Sequence, residues 1–269
     1  MKKVVFVILL ASCLIVGSVP MIAECIEDGL VAYYQFNGNA IDISGNGNDG
    51  IVNNAILTED RFQNPNSNSY EFDGTCEQYI DVGNNLKPPH FPITVALWLY
   101  STDPMANESQ EFFHNDHRGP DEYKGIAVKI KEGHLRAWVG CGPPSIYGRS
   151  TLTTTTPVIN ENQWHHVAVV YHSANEFAIY VDGVEQDLHM GPDDYLNCSG
   201  NEVDYSIDGN GHIGIGWVND VCRGYYGKID EFRVYDRALI GSEISELAFN
   251  CVPVELQGKT WGSLKAMYR

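Results

Sequence analysis

Basic residues are scarce in this chain of 269 residues: 17 Lys and Arg stand against 35 Asp and Glu, a formal net charge of −18 at pH 7. That balance disfavours nucleic acid and anionic membranes as partners and leaves metal cations and neutral ligands. Long hydrophobic runs are equally few. The run Val4–Val16 follows Lys2 and Lys3 and precedes Gly17, Ser18, Pro20 and Ala23. It is short for a bilayer span and has the layout of a secretory signal peptide over residues 1–23, cleaved after Ala23. Leu10-Ala11-Ser12-Cys13 reads alternatively as a lipidation signal that would anchor the product at Cys13. The apolar run continues past Cys13, which favours secretion over a lipoprotein anchor. After signal removal no transmembrane segment is expected, so the product is placed outside the cell or at its surface.

CxxC pairs and Cys/His spacings are also missing, which removes the usual zinc signatures. Six cysteines follow the signal: Cys25, Cys76, Cys141, Cys198, Cys222 and Cys251. An even number in an exported chain points to disulfides. Cys25 and Cys251 bracket the domain and are expected to pair, since domain termini often lie close together. Cys198–Cys222 is expected to tie down one long loop.

What the chain has in abundance is strand and turn. Strand-like runs occur at Tyr79–Val82, Ile93–Tyr100, Ile126–Ile130, Leu135–Val139, Trp164–Tyr171, Phe177–Val181, His212–Val218 and Tyr226–Tyr235. Asp73-Gly74, Glu132-Gly133, Asp182-Gly183 and Asp208-Gly209 separate them as turn signals. Several runs are apolar on both faces, as expected inside a two-sheet sandwich. One short helix is predicted near the C-terminus, capped by Ser242, with Ile244, Leu247 and Ala248 on its apolar face. Two polar insertions, 103–124 and 189–211, are expected as rim loops.

The strand Gly29–Phe36 followed by Asp42-Ile-Ser-Gly-Asn-Gly-Asn-Asp-Gly50 resembles the opening of laminin G-like domains of the concanavalin A-like superfamily. Tyr70–Gly83, Ile93–Tyr100, Asn162–Tyr171 with Ile179–Gly183, and Gly227–Leu239 with Ser242–Ile244 resemble its later blocks, in the family's order. The resemblance implies an all-β, two-sheet antiparallel jelly-roll sandwich over residues 24–251, with one short C-terminal helix. Residues 252–269 then form a linker and tail, whose Trp261, Leu264, Met267 and Tyr268 suit an amphipathic end.

The resemblance also implies a structural calcium ion between the first and last strands. Its expected ligands are Asp42, Asn46, Asn48 and Asp230, oxygen donors suited to a hard cation. Period-2 alternation places Asp230 on the inward side with Phe232 and Val234, where an unpaired carboxylate would be expensive. The alternatives are an Asx-turn role for Asp42 and a salt bridge from Asp230 to Arg237 or Lys228. Asp193, Asp194, Glu202, Asp204 and Asp208 crowd the second insertion and read as a solvated loop.

Catalysis finds little support. The Glu-x-Asp-x-x-Glu pattern of laminarinase-type glucanases is absent. Asp230 and Glu231 are adjacent and are expected on opposite sheet faces, out of reach of each other. His165 and His166 fall in a strand that is structural in the family. His114, Asp116 and His117 form a loop cluster that lacks a fourth metal ligand. Sugar binding would use an exposed aromatic plate, for which Tyr147, Trp217, Tyr225 and Tyr226 are the candidates. The sequence thus points to a secreted, non-catalytic carbohydrate-binding or adhesion module stabilised by calcium, with a glycan or a surface protein as partner. The alternatives are a protein-binding structural module and a glycoside hydrolase or lyase of the same fold.

Overall fold

Eighteen strands and one helix form in a computed structural model that describes residues 26–63, 68–116, 123–141, 148–191, 194–198, 200, 202–205, 209–218 and 221–251. The first six strands are β1 (Leu30–Tyr34), β2 (Ile51–Asn53), β3 (Ile56–Glu59), β4 (Asn68–Asp73), β5 (Tyr79–Gly83) and β6 (Ile93–Ser101). Next come β7 (Gln110–His114), β8 (Ile126–Lys131), β9 (His134–Gly140), β10 (Arg149–Thr154), β11 (Trp164–Ser173) and β12 (Glu176–Val181). The chain continues with β13 (Val184–Glu185), β14 (Leu188–His189), β15 (Gly211–Ile213), β16 (Ile215–Val218), β17 (Val221–Gly224) and β18 (Tyr226–Tyr235). Helix α1 (Gly241–Phe249) closes the fold.

Two eight-stranded antiparallel sheets stack into the expected jelly-roll sandwich. The first runs β13-β12-β11-β6-β18-β4-β3, with β1 added on β18; the second runs β14-β10-β9-β8-β7-β15-β5-β2. Ile93, Val95, Leu97 and Leu99 of β6 and Val167, Val169 and Tyr171 of β11 are buried in one core with Ile126, Val128 and Ile130 of β8 and Leu135, Ala137 and Val139 of β9. Each fully buried aliphatic or aromatic side chain contributes roughly 1.5–3 kcal/mol. Part of the opposite face of the first sheet is apolar too, where α1 covers it. Ala96, Ala168, Val170 and Tyr235 pack there with Ile244 and Leu247.

The two hairpin turns form where expected. Glu132-Gly133 and Asp182-Gly183 hold left-handed backbone at both positions, φ +52° and +75° in the first and +51° and +76° in the second. That backbone matches the twist of the flanking strands.

Three expectations are overturned. The helix starts before Ser242 reaches a capping position: Ile240 is the N-cap, and its N–H donates to Glu243 Oε2 at 2.9 Å. The first insertion is not wholly a rim loop, since β7 lies within it and pairs with both β8 and β15. Phe112 and Phe113 of β7 carry it into the core. The disulfides join Cys76 to Cys222 and Cys141 to Cys198, with Cα separations of 5.7 and 5.6 Å, so Cys198 and Cys222 are not partners. Cys141 follows β9, while the segment holding Cys198 runs beside neighbouring β10 through a Ser150–Leu196 bridge. The expected Cys25–Cys251 pairing involves Cys25, which lies outside the described residues, as do the signal region and residues 252–269.

Candidate functional site

Of the residues expected to share a calcium ion, Asp42, Asn46 and Asn48 are hydrogen-bonded in one network beside β1, and Asp230 is paired with Arg61. Asp42 Oδ1 accepts from the Tyr33 and Ser44 amides, both at 2.9 Å; Oδ2 accepts from the Asn48 amide at 3.0 Å and from Ser44 Oγ at 2.9 Å. Burial raises the Asp42 pKa, but these hydrogen bonds outweigh it and hold the carboxyl below its ordinary value. Asn46 and Asn48 turn their side-chain amides to the Val31 carbonyl, at 3.0 and 2.8 Å. The loop therefore wraps the exposed side of β1 through its own hydrogen bonds.

Asp230 does not face the sandwich interior. Ile229 pairs with Leu99 and Asp230 with Trp98, but the register then jumps to Arg233 with Ala96. Glu231, with φ +53°, is the extra residue of a β-bulge. The bulge breaks the alternation, leaving Asp230 opposite Trp98 on the outer face while Phe232 and Val234 stay in the core. There Arg61 Nη1 contacts Asp230 Oδ2 at 2.7 Å and lies 4.0 Å from Glu231 Oε1. Neither Arg237 nor Lys228 is its partner; Arg237 pairs instead with Glu243 at 2.7 Å.

Glu231 accepts from the Tyr33 hydroxyl and from Arg233 Nη2, the latter at 2.6 Å. Tyr33 stands between the two acidic groups, since its amide serves Asp42 and its hydroxyl serves Glu231. A guanidinium lies beside Asp230, while Asp42, Asn46 and Asn48 are bonded together with Ser44 around the Val31 carbonyl. Among the described residues, no group of three or more His, Cys, Asp or Glu side chains is arranged to hold a metal ion.

The same bulge overturns the expectation that Asp230 and Glu231 point apart, since Arg61 approaches both carboxylates. The pair is nevertheless no catalytic dyad in reach of substrate, with exposures of 1 % and 2 %. His166, fully buried beside Trp98, has its pKa lowered to about 3 by burial and by Arg233 and Arg61. His165 is a clamp: Nδ1 meets Asp182 Oδ2 at 2.8 Å and Nε2 accepts from the Asn160 amide. His114 and Asp116 part company, the first bonding His212 at 2.9 Å and the second pairing with Lys87 at 3.4 Å. His117 lies outside the described residues.

Of the expected aromatic plates, Tyr147 and the Trp217 side chain lie outside the described residues. Tyr225 is a core residue, fully buried between Phe72 and Phe112, and offers no face to a ligand. Tyr226 is exposed, with its ring laid against Gly74, where a Cβ would meet it at 2.1 Å.

A different surface has the shape and chemistry of a binding site. On β8, β9 and β10, alternation turns Leu135, Ala137 and Val139 inward and leaves Lys131, His134, Arg136 and Thr153 on the outer face of the second sheet. Together with His189 of β14 and Asp194 of the following loop, these line a cavity of about 180 Å³. Asp194 is not the solvated loop residue expected. It accepts from Arg136, from Thr153 Oγ1 at 2.8 Å and from the Gly191 amide at 2.7 Å. His134 Nδ1 meets the Thr154 carbonyl at 2.7 Å, which fixes that ring.

Beside the cavity, the Tyr195 carbonyl takes the Thr151 amide at 2.6 Å, and its ring stays 45 % exposed. The Arg149 guanidinium lies over both Tyr195 and Tyr123, at 4.7 and 4.5 Å from the ring centroids. A polar cavity and, one residue on from its Asp194, an exposed tyrosine are the kinds of group sought in the sequence, supplied by residues that spacing did not connect.

Known proteins carry the same architecture. A laminin G family model, described as the concanavalin A-like lectin/glucanases superfamily, matches residues 73–245. Domain 4 of AbnA, an extracellular arabinanase of Geobacillus stearothermophilus solved with arabinotriose, is 21 % identical with TM-score 0.59, over 83 % of this chain and 100 % of that one. The binding domain of Paraclostridial Mosquitocidal Protein 1 is 16 % identical with TM-score 0.62, over 83 % and 52 %. The botulinum neurotoxin serotype D ligand-binding domain solved with N-acetylneuraminic acid is 15 % identical with TM-score 0.60, over 83 % and 51 %. The chain thus spans about half the length of the toxin domains it resembles. No curated protein matches it. By the family match over most of its length, this chain belongs to the concanavalin A-like lectin/glucanase superfamily.

Proposed function

We propose that this chain is a secreted, non-catalytic carbohydrate-binding module that holds a glycan on the outer face of its second sheet. The observation that carries the reading is the polar cavity of His134, Arg136, Thr153 and His189, whose lining residue Asp194 is followed directly in the chain by the exposed Tyr195. Sugars present an apolar ring face and a hydroxyl rim, and such a site meets both. The solved relatives support it, because domain 4 of the arabinanase and the serotype D toxin domain were each captured with a saccharide or sugar acid. Export rests on residues 1–23 and on the disulfides. No helix among the described residues is long and apolar enough to cross a membrane.

A second reading, adhesion to a protein, draws on a different surface. Ile41, Ile43, Ile51 and Ile56, on the stretch from the β1–β2 loop to β3, are each at least half exposed. Screening the purified protein and a Tyr195→Ala variant on a glycan array separates the two. Hits that Tyr195→Ala abolishes support the glycan reading. A blank array with folded protein overturns it in favour of the exposed isoleucines.

A further inference from the structure

We infer that the cavity beside Tyr195 accepts the carboxylate-bearing sugar of an acidic glycan, one ring at a time. This rests on the glycan reading and adds the ligand's charge. The argument begins with size. At about 180 Å³ the cavity is smaller than the roughly 300–1,000 Å³ of drug-sized ligand sites, so it suits a single ring rather than a chain.

The second step is a count of donors left open. Asp194 is the buried acid of the lining, and its carboxylate is consumed by Arg136, Thr153 and the Gly191 amide. It therefore neither repels an anion nor offers itself to a ligand hydroxyl. Arg136 Nε is buried at this site and donates to nothing. Lys131 makes no ion pair with any described residue, and it pairs across the β8–β9 ladder with His134, which brings both side chains to the same face. His134 commits Nδ1 to the Thr154 carbonyl, so Nε2 is left for a sugar hydroxyl. His189 is exposed at the edge of the cavity, and its ring bonds none of the described residues.

Glu132, the remaining acid of the lining, sits at the exposed tip of the β8–β9 turn. With Arg136 and Asp194 paired to each other and Glu132 at the turn tip, Lys131 is the cation left open, with His134 Nε2 and His189 as further donors, and a carboxylate is the group that satisfies this set.

Isothermal titration of the full exported protein with matched probes tests this. One pair is lactose with and without a terminal N-acetylneuraminic acid; the other is galacturonic acid oligomers against galactose oligomers. The acidic member of at least one pair is expected to bind tenfold or more tightly at low salt, with the advantage shrinking as salt rises. The double variant Lys131→Ala, His189→Ala is expected to weaken the acidic member much more than the neutral one and so to erase that advantage. Lys131→Gln is a milder companion if the double variant melts early. Equal affinity for both members of each pair overturns the acidic assignment while the glycan reading stands. Tight binding of neutral glycans alone does the same. No binding of any probe by folded protein overturns both.

Discussion

Arg61 and Asp230 meet at 2.7 Å although 169 residues separate them, and their side chains are 1 % and 2 % exposed. Arg61 also lies over the rings of Phe62 and Trp98, at 4.4 and 4.8 Å from their centroids. A guanidinium thereby neutralises the acids that the bulge in β18 has turned outward. Burial pushes the Asp230 carboxyl upward and the Arg61 charge opposes it, so the pair depends on both members.

Removing one partner is therefore expected to hurt more than removing both. Arg61→Ala leaves a buried carboxylate without its cation, at a loss of about 3–5 kcal/mol. Arg61→Met combined with Asp230→Leu is expected to recover most of that loss. Urea unfolding of the two single variants and the double measures the coupling; strict additivity would mean that the contact is incidental.

The same geometry bears on metal dependence. Asp42 has both oxygens bonded within its loop and Asp230 has Arg61, so dialysis against EDTA is expected to leave the melting temperature within a degree or so of the value in calcium. Differential scanning calorimetry in both conditions checks this. A rise of several degrees with added calcium would require the 42–49 loop to open its hydrogen bonds and assemble oxygens around an ion.

His166 supplies a pH signature. Its pKa falls from 6.5 to about 3 through burial and the neighbouring Arg233 and Arg61. The unfolded chain therefore binds a proton that the folded chain refuses between those values. His166 costs no stability above about pH 6.5 and progressively more as pH falls toward 3, by at most ~1.4 kcal/mol per pH unit. His166→Leu removes that term. Between pH 7 and pH 5 the unfolding free energy of the wild type is expected to fall relative to that of the variant as pH drops, and the change in their difference isolates His166 from other titrating groups such as Asp230. Parallel curves would refute a neutral buried imidazole.

Much of this fold is legible from residue patterns, and the reasons for the exceptions are physical. Trp164–Tyr171 is β-branched and bounded by turn residues, so β11 announces itself, as does its hairpin through Asp182-Gly183. Gln110–His114 hides because polar neighbours flank only two phenylalanines, yet both are buried in the core. The bulge at Glu231 is invisible because a glutamate with φ +53° carries no signal of its own. Arg61 and the Arg136–Asp194 pair are invisible for another reason. Strand order rather than spacing brings them to their partners, across 169 and 58 residues.

The Cys141–Cys198 bridge links stability to the site. It closes a separation of 57 residues, for which loop entropy gives about 4 kcal/mol. It also anchors the chain three residues beyond Tyr195. Replacing both cysteines by alanine is expected to lower the unfolding free energy by about 2–5 kcal/mol and to weaken glycan binding. Cys76→Ala with Cys222→Ala is expected to destabilise without a comparable loss of binding, because that bridge joins β17 to the β4–β5 turn. Equal binding losses in the two pairs would mean that they report general loosening only.

Two exposed tyrosines allow the site to be located by contrast. Tyr195 and Tyr226 are 45 % and 44 % exposed, so either substitution changes surface more than core. Tyr195 stands beside the cavity, held by Arg149 and by the Thr151 amide bond to its carbonyl. Tyr226 begins β18 in the other sheet, and its ring lies against Gly74. Stacking a sugar on a tyrosine of the first kind is worth on the order of 1–2 kcal/mol, by analogy with other aromatic contacts. Tyr195→Ala is therefore expected to weaken glycan binding roughly five- to thirtyfold with little change in melting temperature. Tyr226→Ala is expected to leave affinity unchanged. Arg149→Ala, which leaves the Tyr195 ring in place but removes the group beneath it, is expected to fall between them. If Tyr226→Ala abolished binding and Tyr195→Ala did not, the ligand would sit on the first sheet, and the cavity of Arg136 and Asp194 would be a loop anchor alone.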